Sequence, residues 1–130
     1  MTNILTIDGS RITDISSLYD EINRVFMADE DWKLGASLDA LNDLLHGGFG
    51  AIKGGEPVQL VWLDFEKNRA DLGFEATRQH YRNKLQRPDI FDMGRIEADL
   101  EALENGTGPT YFDIVLQIVA DHPNIELIVR

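Results

Sequence analysis

The sequence predicts an α/β fold in which helices pack against a small three-stranded parallel sheet. The predicted order is strand, two helices, strand, helices, strand, and this alternation is typical of parallel strands joined by right-handed crossovers. The strongest predicted strand, residues 56–64, is an almost continuous apolar run, as expected for a central strand covered on both faces. With 130 residues, 43% of them hydrophobic, we expect one domain with a substantial core.

The N-terminal segments predict a strand followed by an amphipathic helix. Residues 3–7 predict the first strand, which the turn-forming pair Asp8 and Gly9 ends. Residues 14–26 predict a helix with Thr13 or Asp14 as its N-cap. Its apolar stripe consists of Ile15, Leu18, Ile22 and Val25.

A second, shorter helix is predicted after Gly35. Ser37 is its expected N-cap, and Gly47 or Gly48 supplies the left-handed residue that ends it. One face is apolar and consists of Leu38, Leu41, Leu44 and Leu45. Asp39 and Asp43 stand together on a neighbouring face, where like charges four residues apart repel by a few tenths of a kcal/mol. This pattern fits either a solvated acidic face or a binding site.

Two loops flank this helix, and each contains one aromatic residue. Residues 29–33 form an acidic loop, in which Trp32 either packs on the core or joins Lys33 in a binding rim. Residues 47–55 contain too many glycines for regular structure and predict a flexible connector. They lack the Gly-Lys-Ser/Thr of a phosphate-binding loop. Phe49, an aromatic residue among glycines, is a candidate for partner contact.

The second half of the chain predicts helices and a final strand. Residues 65–85 predict a helix interrupted near Leu72 and Gly73, with Phe74 and Tyr81 packed inward. Residues 95–104 and 112–120 predict two more helices, and residues 125–129 predict a closing strand.

Charge and composition restrict the classes of partner. Twelve basic against 23 acidic side chains give a net charge of −11, which disfavours nucleic acid as a direct ligand and favours a basic protein. We find neither an apolar run of about 18 residues nor a secretory signal pattern, so we expect no membrane contact. The absence of cysteine fits a reducing compartment. We therefore expect a cytoplasmic protein.

No pattern in the sequence indicates catalysis or a cofactor. The three histidines, His46, His80 and His122, lack metal-binding spacing and are expected at the surface or at helix ends. The EF-hand pattern is absent, and the serines lack a nucleophile-elbow context. We predict no catalytic residues, no cofactor and no metal site. A small enzyme that uses the acid pair, with or without a metal, is the least favoured alternative.

Several stretches together resemble the barstar family of intracellular ribonuclease inhibitors. The resemblance covers residues 3–65 and about 110–130. It rests on Ile7-Asp8-Gly9, Gly35-x-Ser37-Leu38-Asp39-Ala40-Leu41-x-Asp43-Leu44-Leu45, Leu60-Val61-Trp62-Leu63-Asp64-Phe65, and Val115-Leu116-Gln117 before the last strand. It implies a barstar-like fold, a three-stranded parallel sheet packed with helices. Residues of about 85–108 would form an inserted helical segment.

The resemblance also implies a function and a binding face. Family members plug the active site of a basic ribonuclease with carboxylates that stand in for RNA phosphates. Carried over by position, these acids are Asp39, Asp43 and Asp121. The partner would be a basic ribonuclease or a nuclease toxin, and the sequence leaves the oligomeric state open.

The chain departs from the family's pattern at its aromatic anchors. The family's paired tyrosines correspond to Lys33 and Leu34, and its partner-facing tryptophan corresponds to Asn42. Trp32 and Phe49 are candidate replacements for these anchors. The main alternative to a nuclease inhibitor is a binding module of the same fold for a non-nuclease basic partner.

Overall fold

The computed structural model describes residues 2–130 and contains a three-stranded parallel sheet packed with helices, as the sequence predicted. The sheet order is β1-β2-β3, so the predicted central strand lies in the middle. The elements in chain order are β1 (Asn3–Asp8), α1 (Ile15–Phe26), α2 (Leu38–Leu45), β2 (Val58–Leu63), α3 (Phe65–Asp71), α4 (Phe74–Leu85), α5 (Met93–Glu104), α6 (Tyr111–Ala120) and β3 (Ile125–Val129).

Strand β2 organises the sheet because it pairs on both sides in parallel. Its first residue, Val58, lies opposite Asn3 of β1 and Ile125 of β3. Alternate side chains of β2 are buried, and the intervening ones are only half-buried until Leu63 at the end. Both faces of this strand are therefore largely covered, as its nearly continuous apolar sequence predicts.

Polar side chains define where the main helices begin. The Asp14 carboxylate accepts the Ser17 amide at 2.8 Å, and the Ser17 hydroxyl completes a capping box at α1. The Ser37 hydroxyl accepts the Ala40 amide at 3.1 Å and caps α2. Thr110 and Asp113 form a second capping box at α6. The predicted cap of α2 is confirmed. Of the two N-cap candidates for α1, Thr13 and Asp14, the structure shows Asp14.

The main core fills the space between the sheet and helices α1, α2, α3 and α6. Trp62, Phe65 and Phe112 form an edge-to-face aromatic group, with ring centroids between 5.0 and 5.9 Å apart. The indole Nε1–H of Trp62 donates to Asn68 Oδ1 at 2.7 Å, so this buried donor is satisfied. The core thus fixes the inner face of α2, where Leu41, Leu44 and Leu45 are buried.

A second, smaller apolar cluster lies between α4 and α5. Tyr81, Ile96 and Leu103 are buried there, and Leu85, Phe91 and Leu100 pack partly around them. We call these two helices and their connection the α4–α5 hairpin. Its cluster is separate from the main core, so α5 is held mainly through α4.

Two local predictions are wrong. Phe74 was expected to pack inward, but it is 42% exposed and the Arg78 guanidinium lies 5.6 Å from its ring centroid. The glycine-rich segment was expected to be a flexible connector. Instead the Ala51 amide donates to the Phe26 carbonyl at 2.8 Å, and Ile52 is fully buried. Within residues 2–130, no helix is both long and apolar enough to cross a membrane.

Candidate protein-binding site

Helix α2 exposes two acids, Asp39 and Asp43, on the face opposite its buried leucines. Its inner face is buried in the main core, whereas Asp39 and Asp43 are both exposed. Neither carboxylate has a basic partner within 4.0 Å among residues 2–130. Asp39 lies in the first helical turn, where the helix dipole favours a negative charge. The result is a pair of adjacent carboxylates without basic partners, on a helix whose opposite face is buried in the core.

Asn42, between these two acids, turns towards the end of α6. The His122 ring donates from Nε2 to Asn42 Oδ1 at 2.9 Å. His122 is buried, and the His46 ring meets it edge-on at 4.7 Å between centroids. Burial, and then the neighbouring His46, lower the pKa of His122, while Asp121 opposes this shift. The neutral ring therefore links α2 to α6 at neutral pH.

Asp121, the third acid that the resemblance implies, is the residue that ends α6. It is exposed, and its Oδ1 accepts a hydrogen bond from Gln117 Nε2 at 3.0 Å. Because it directly precedes His122, it lies at the junction of α6 with α2. The structure thus places all three predicted acids on the surface at or beside α2.

The aromatic residues of the two flanking loops contact each other. The rings of Trp32 and Phe49 are 5.0 Å apart between centroids, and Trp32 remains 45% exposed. Glu30 ties the two loops, because one carboxylate oxygen accepts Trp32 Nε1–H at 3.2 Å and the other accepts the Gly50 amide at 3.4 Å. The two candidate aromatic anchors therefore contact each other, with Trp32 exposed and Phe49 half-buried against the main core.

Close backbone contacts hold both loops in place. The Asn23 side chain accepts the Leu34 amide at 2.7 Å and donates to the Leu34 carbonyl at 3.3 Å. Gly47 has a φ of +85°, and a Cβ atom there would lie 2.3 Å from the Gly54 carbonyl oxygen. The Gly54 amide donates back to the Gly47 carbonyl at 2.8 Å. Glycine is required at this turn, so the segment after α2 has a defined backbone conformation.

Two clefts adjoin this region. The first has a volume of about 530 Å³ and lies between α1 and the acidic loop, where Trp32 and Lys33 line it beside Asp20 and Asp31. The second has a volume of about 620 Å³ and lies between the start of α2 and the α4–α5 hairpin. Asp39 lines this second cleft together with Ile90 and Phe91. Sequence patterns did not reveal it, because its walls are far apart in the chain.

The described residues contain no group of three or more His, Asp or Glu side chains placed to hold a metal ion. Of the remaining histidines, His46 ends α2 and is exposed, as expected. His80 lies within α4 and is partly buried, contrary to the expectation for a surface or helix-end residue. Burial, and then Lys84, lower the pKa of His80 to about 4.

Comparison with known families agrees with this architecture. The family model described as Barstar (barnase inhibitor) matches residues 2–87, which include β1, β2 and the whole of α2. A search of curated proteins finds no match. The matched part contains Asp39, Asp43, Trp32 and Phe49, whereas α5, α6 and β3 lie beyond it. Because this match spans well over half of the residues of the chain, the chain belongs to the barstar family.

Proposed function

We propose that this protein inhibits a basic ribonuclease or a ribonuclease-like toxin by covering its active site with the exposed face of α2. The observation that carries the proposal is the pair Asp39 and Asp43. These acids are exposed and free of basic partners within residues 2–130, and they lie in the part of the chain that matches a family of ribonuclease inhibitors.

The chemistry of the proposed contact follows from what a ribonuclease binds. Such an enzyme holds RNA phosphates with arginine, lysine or histidine side chains. Carboxylates offer the same kind of anionic oxygen and accept charge-assisted hydrogen bonds from these groups. Asp39 and Asp43 are one helical turn apart, so they can meet two neighbouring cations at once.

The rest of the proposed surface supplies attraction and apolar contact. A net charge of −11 accelerates encounter with a basic protein. Trp32, Phe49 and Lys33 would contact the enzyme beside α2, and Asp121 would contribute charge at the other edge. Trp32, which is exposed and packs on the half-buried Phe49, would supply an aromatic group of the kind that dominates binding energy in protein interfaces. Asn42 contributes less directly, because its side chain is held by His122.

The direct test is inhibition of RNA hydrolysis by a panel of basic ribonucleases, with barnase included. We expect the wild-type chain to inhibit at least one member stoichiometrically. The double variant Asp39→Asn plus Asp43→Asn should weaken that inhibition by about 30-fold or more. This figure corresponds to the loss of about 2 kcal/mol when one partner of a buried charge pair is removed.

A matched control separates a specific contact from a general charge effect. Glu97 and Glu101 form another exposed pair with the same spacing on α5. Glu97→Gln plus Glu101→Gln therefore changes the net charge equally, and we expect it to leave inhibition within about twofold. Equal losses in the two double variants, or no inhibition by the wild type, would refute the proposal.

A second candidate is a binding module of the same fold for a non-nuclease basic protein. The observation in its favour is Asn42, which occupies a central position of α2 but bonds to His122 within the molecule. This candidate predicts a basic partner whose capture depends on Asp39 and Asp43, with no effect on ribonuclease activity. The inhibition panel, followed by affinity capture with the same variants, distinguishes the two functions.

A further inference from the structure

The second cleft is lined partly by residues that match the barstar family model and partly by residues beyond that match. Asp39 of α2 and Lys84 of α4 lie within the residues that match the barstar model. Ile90, Phe91 and Asp99 lie beyond the match, on the α4–α5 hairpin. The matched residues therefore contribute α2 and α4 to the cleft, and residues beyond the match contribute the connection after α4 and the helix α5.

The hairpin wall exposes one apolar side chain, Ile90, that neither apolar core uses. Ile90 is 55% exposed, although the buried apolar cluster of the hairpin lies beside it. The Ile90 amide donates to the Arg87 carbonyl at 3.1 Å, in the turn between α4 and α5. Phe91 adjoins it and has the Lys84 ammonium 5.2 Å from its ring centroid. This wall is suited to covering an apolar side chain from outside.

The charges around the cleft favour a ligand that carries a positive group. Its acids are Asp39, Asp92 and Asp99, and its bases are Lys84 and Arg95. His80 also lines it and is neutral at pH 7, because burial lowers its pKa to about 4. The resulting balance is negative, in agreement with the charge of the whole chain. None of these three acids has a basic partner within 4.0 Å among residues 2–130.

We propose that this cleft receives a surface loop of the ribonuclease, in which an apolar side chain stands beside an arginine or lysine. The apolar side chain covers Ile90 and Phe91, and the cation lies between Asp39 and Asp99. The inference rests on the proposed function, because Asp39 belongs to both surfaces. An enzyme seated on the exposed face of α2 therefore extends over the cleft. The α4–α5 hairpin then determines which ribonuclease the protein accepts.

The test measures inhibition constants for the ribonuclease of the panel that the wild-type chain inhibits. Ile90→Ala removes the apolar contact, and Ile4→Ala is its control, because Ile4 is 61% exposed on β1 and lines neither cleft. Asp99→Asn removes the charge, and Glu97→Gln on the same helix is its control. We expect Ile90→Ala to raise the inhibition constant about tenfold, as for the loss of a partly buried aliphatic group. Asp99→Asn should raise it most strongly at low salt.

Hydrogen exchange provides a second readout that does not depend on the variants. Residues 88–92 should gain protection when the ribonuclease binds. If Ile90→Ala and Asp99→Asn inhibit like the wild type while Asp39→Asn plus Asp43→Asn does not, the cleft proposal is wrong and the inhibitor proposal stands. If the wild type inhibits no member of the panel, both are wrong. Equal losses in the test and control variants would also overturn the cleft proposal.

Discussion

His80 should make the stability of this protein depend on pH between neutrality and pH 5. Its ring packs edge-on against Tyr111 at 5.1 Å between centroids, and burial together with Lys84 lowers its pKa to about 4. In the unfolded chain the pKa returns to about 6.5. Between these values the unfolded chain binds the proton and the folded protein does not. Acidification therefore favours unfolding throughout this window, and above it the two states do not differ.

The magnitude follows from the size of the pKa shift. Because folding lowers the pKa of His80 from 6.5 to about 4, the free energy of unfolding of the protein falls by roughly 2 kcal/mol between pH 7 and pH 5. His80 is only partly buried, so solvent screening reduces this to about 1 kcal/mol. Asp8 and Asp14 have lowered pKa values and lose their contribution only below about pH 4, outside the window.

The assay is urea denaturation at pH 7 and pH 5, followed by the fluorescence of buried Trp62. We compare the wild type with His80→Phe, which keeps a ring against Tyr111 but does not titrate. The wild type should lose about 1 kcal/mol more than the variant on going from pH 7 to pH 5. His122 remains in both proteins and cancels in the comparison. Equal losses in the two proteins would show that the folded state protonates His80 as readily as the unfolded chain.

Three further changes test the framework around α2 by urea denaturation. Asn42→Leu leaves the buried His122 ring without its hydrogen-bond acceptor and should lower the free energy of unfolding by about 1–3 kcal/mol. A loss below about 0.5 kcal/mol would show that this hydrogen bond is unimportant. Gly47→Ala forces a Cβ atom against the Gly54 backbone at positive φ and should lower the free energy of unfolding by over about 1 kcal/mol. Gly48→Ala is the control and should lower it much less, because a Cβ atom there meets no atom within 4 Å. Ser37→Ala removes the cap of α2 and should cost about 1 kcal/mol, which Ser37→Asp should restore; failure of the aspartate to do so would contradict the capping role.

Local sequence signals were sufficient for most of the fold. The apolar stripe of α1 and the cap at Ser37 depend on neighbours within one or two helical turns, and both are confirmed. The interruption near Leu72 and Gly73 was also correct, because glycine disfavours an uninterrupted helix there. The long apolar run of β2 identified the central strand, since only a strand covered on both faces tolerates it.

Features that depend on distant parts of the chain were not predictable in the same way. Phe74 and Tyr81 share a helical spacing, but only Tyr81 faces α5, so Phe74 is left exposed. Burial of His122 depends on the approach of α6 to α2, which no local pattern encodes. For the candidate site, the sequence proposed Asp39 and Asp43, whose exposure on α2 follows from local helical spacing, whereas the cleft beside Ile90 required the packing of α5 on α4.

The parallel sheet has a consequence for how this protein folds during synthesis. Strand β2 must pair with β1 across two helices and with β3 across four, so every strand contact closes a long stretch of chain. Contacts of this kind slow folding, because loop-closure entropy is lost before the contacts stabilise the chain. Until β3 leaves the ribosome, one edge of the apolar β2 strand stays open to other chains. The nascent protein should therefore aggregate most readily just before its last strand emerges.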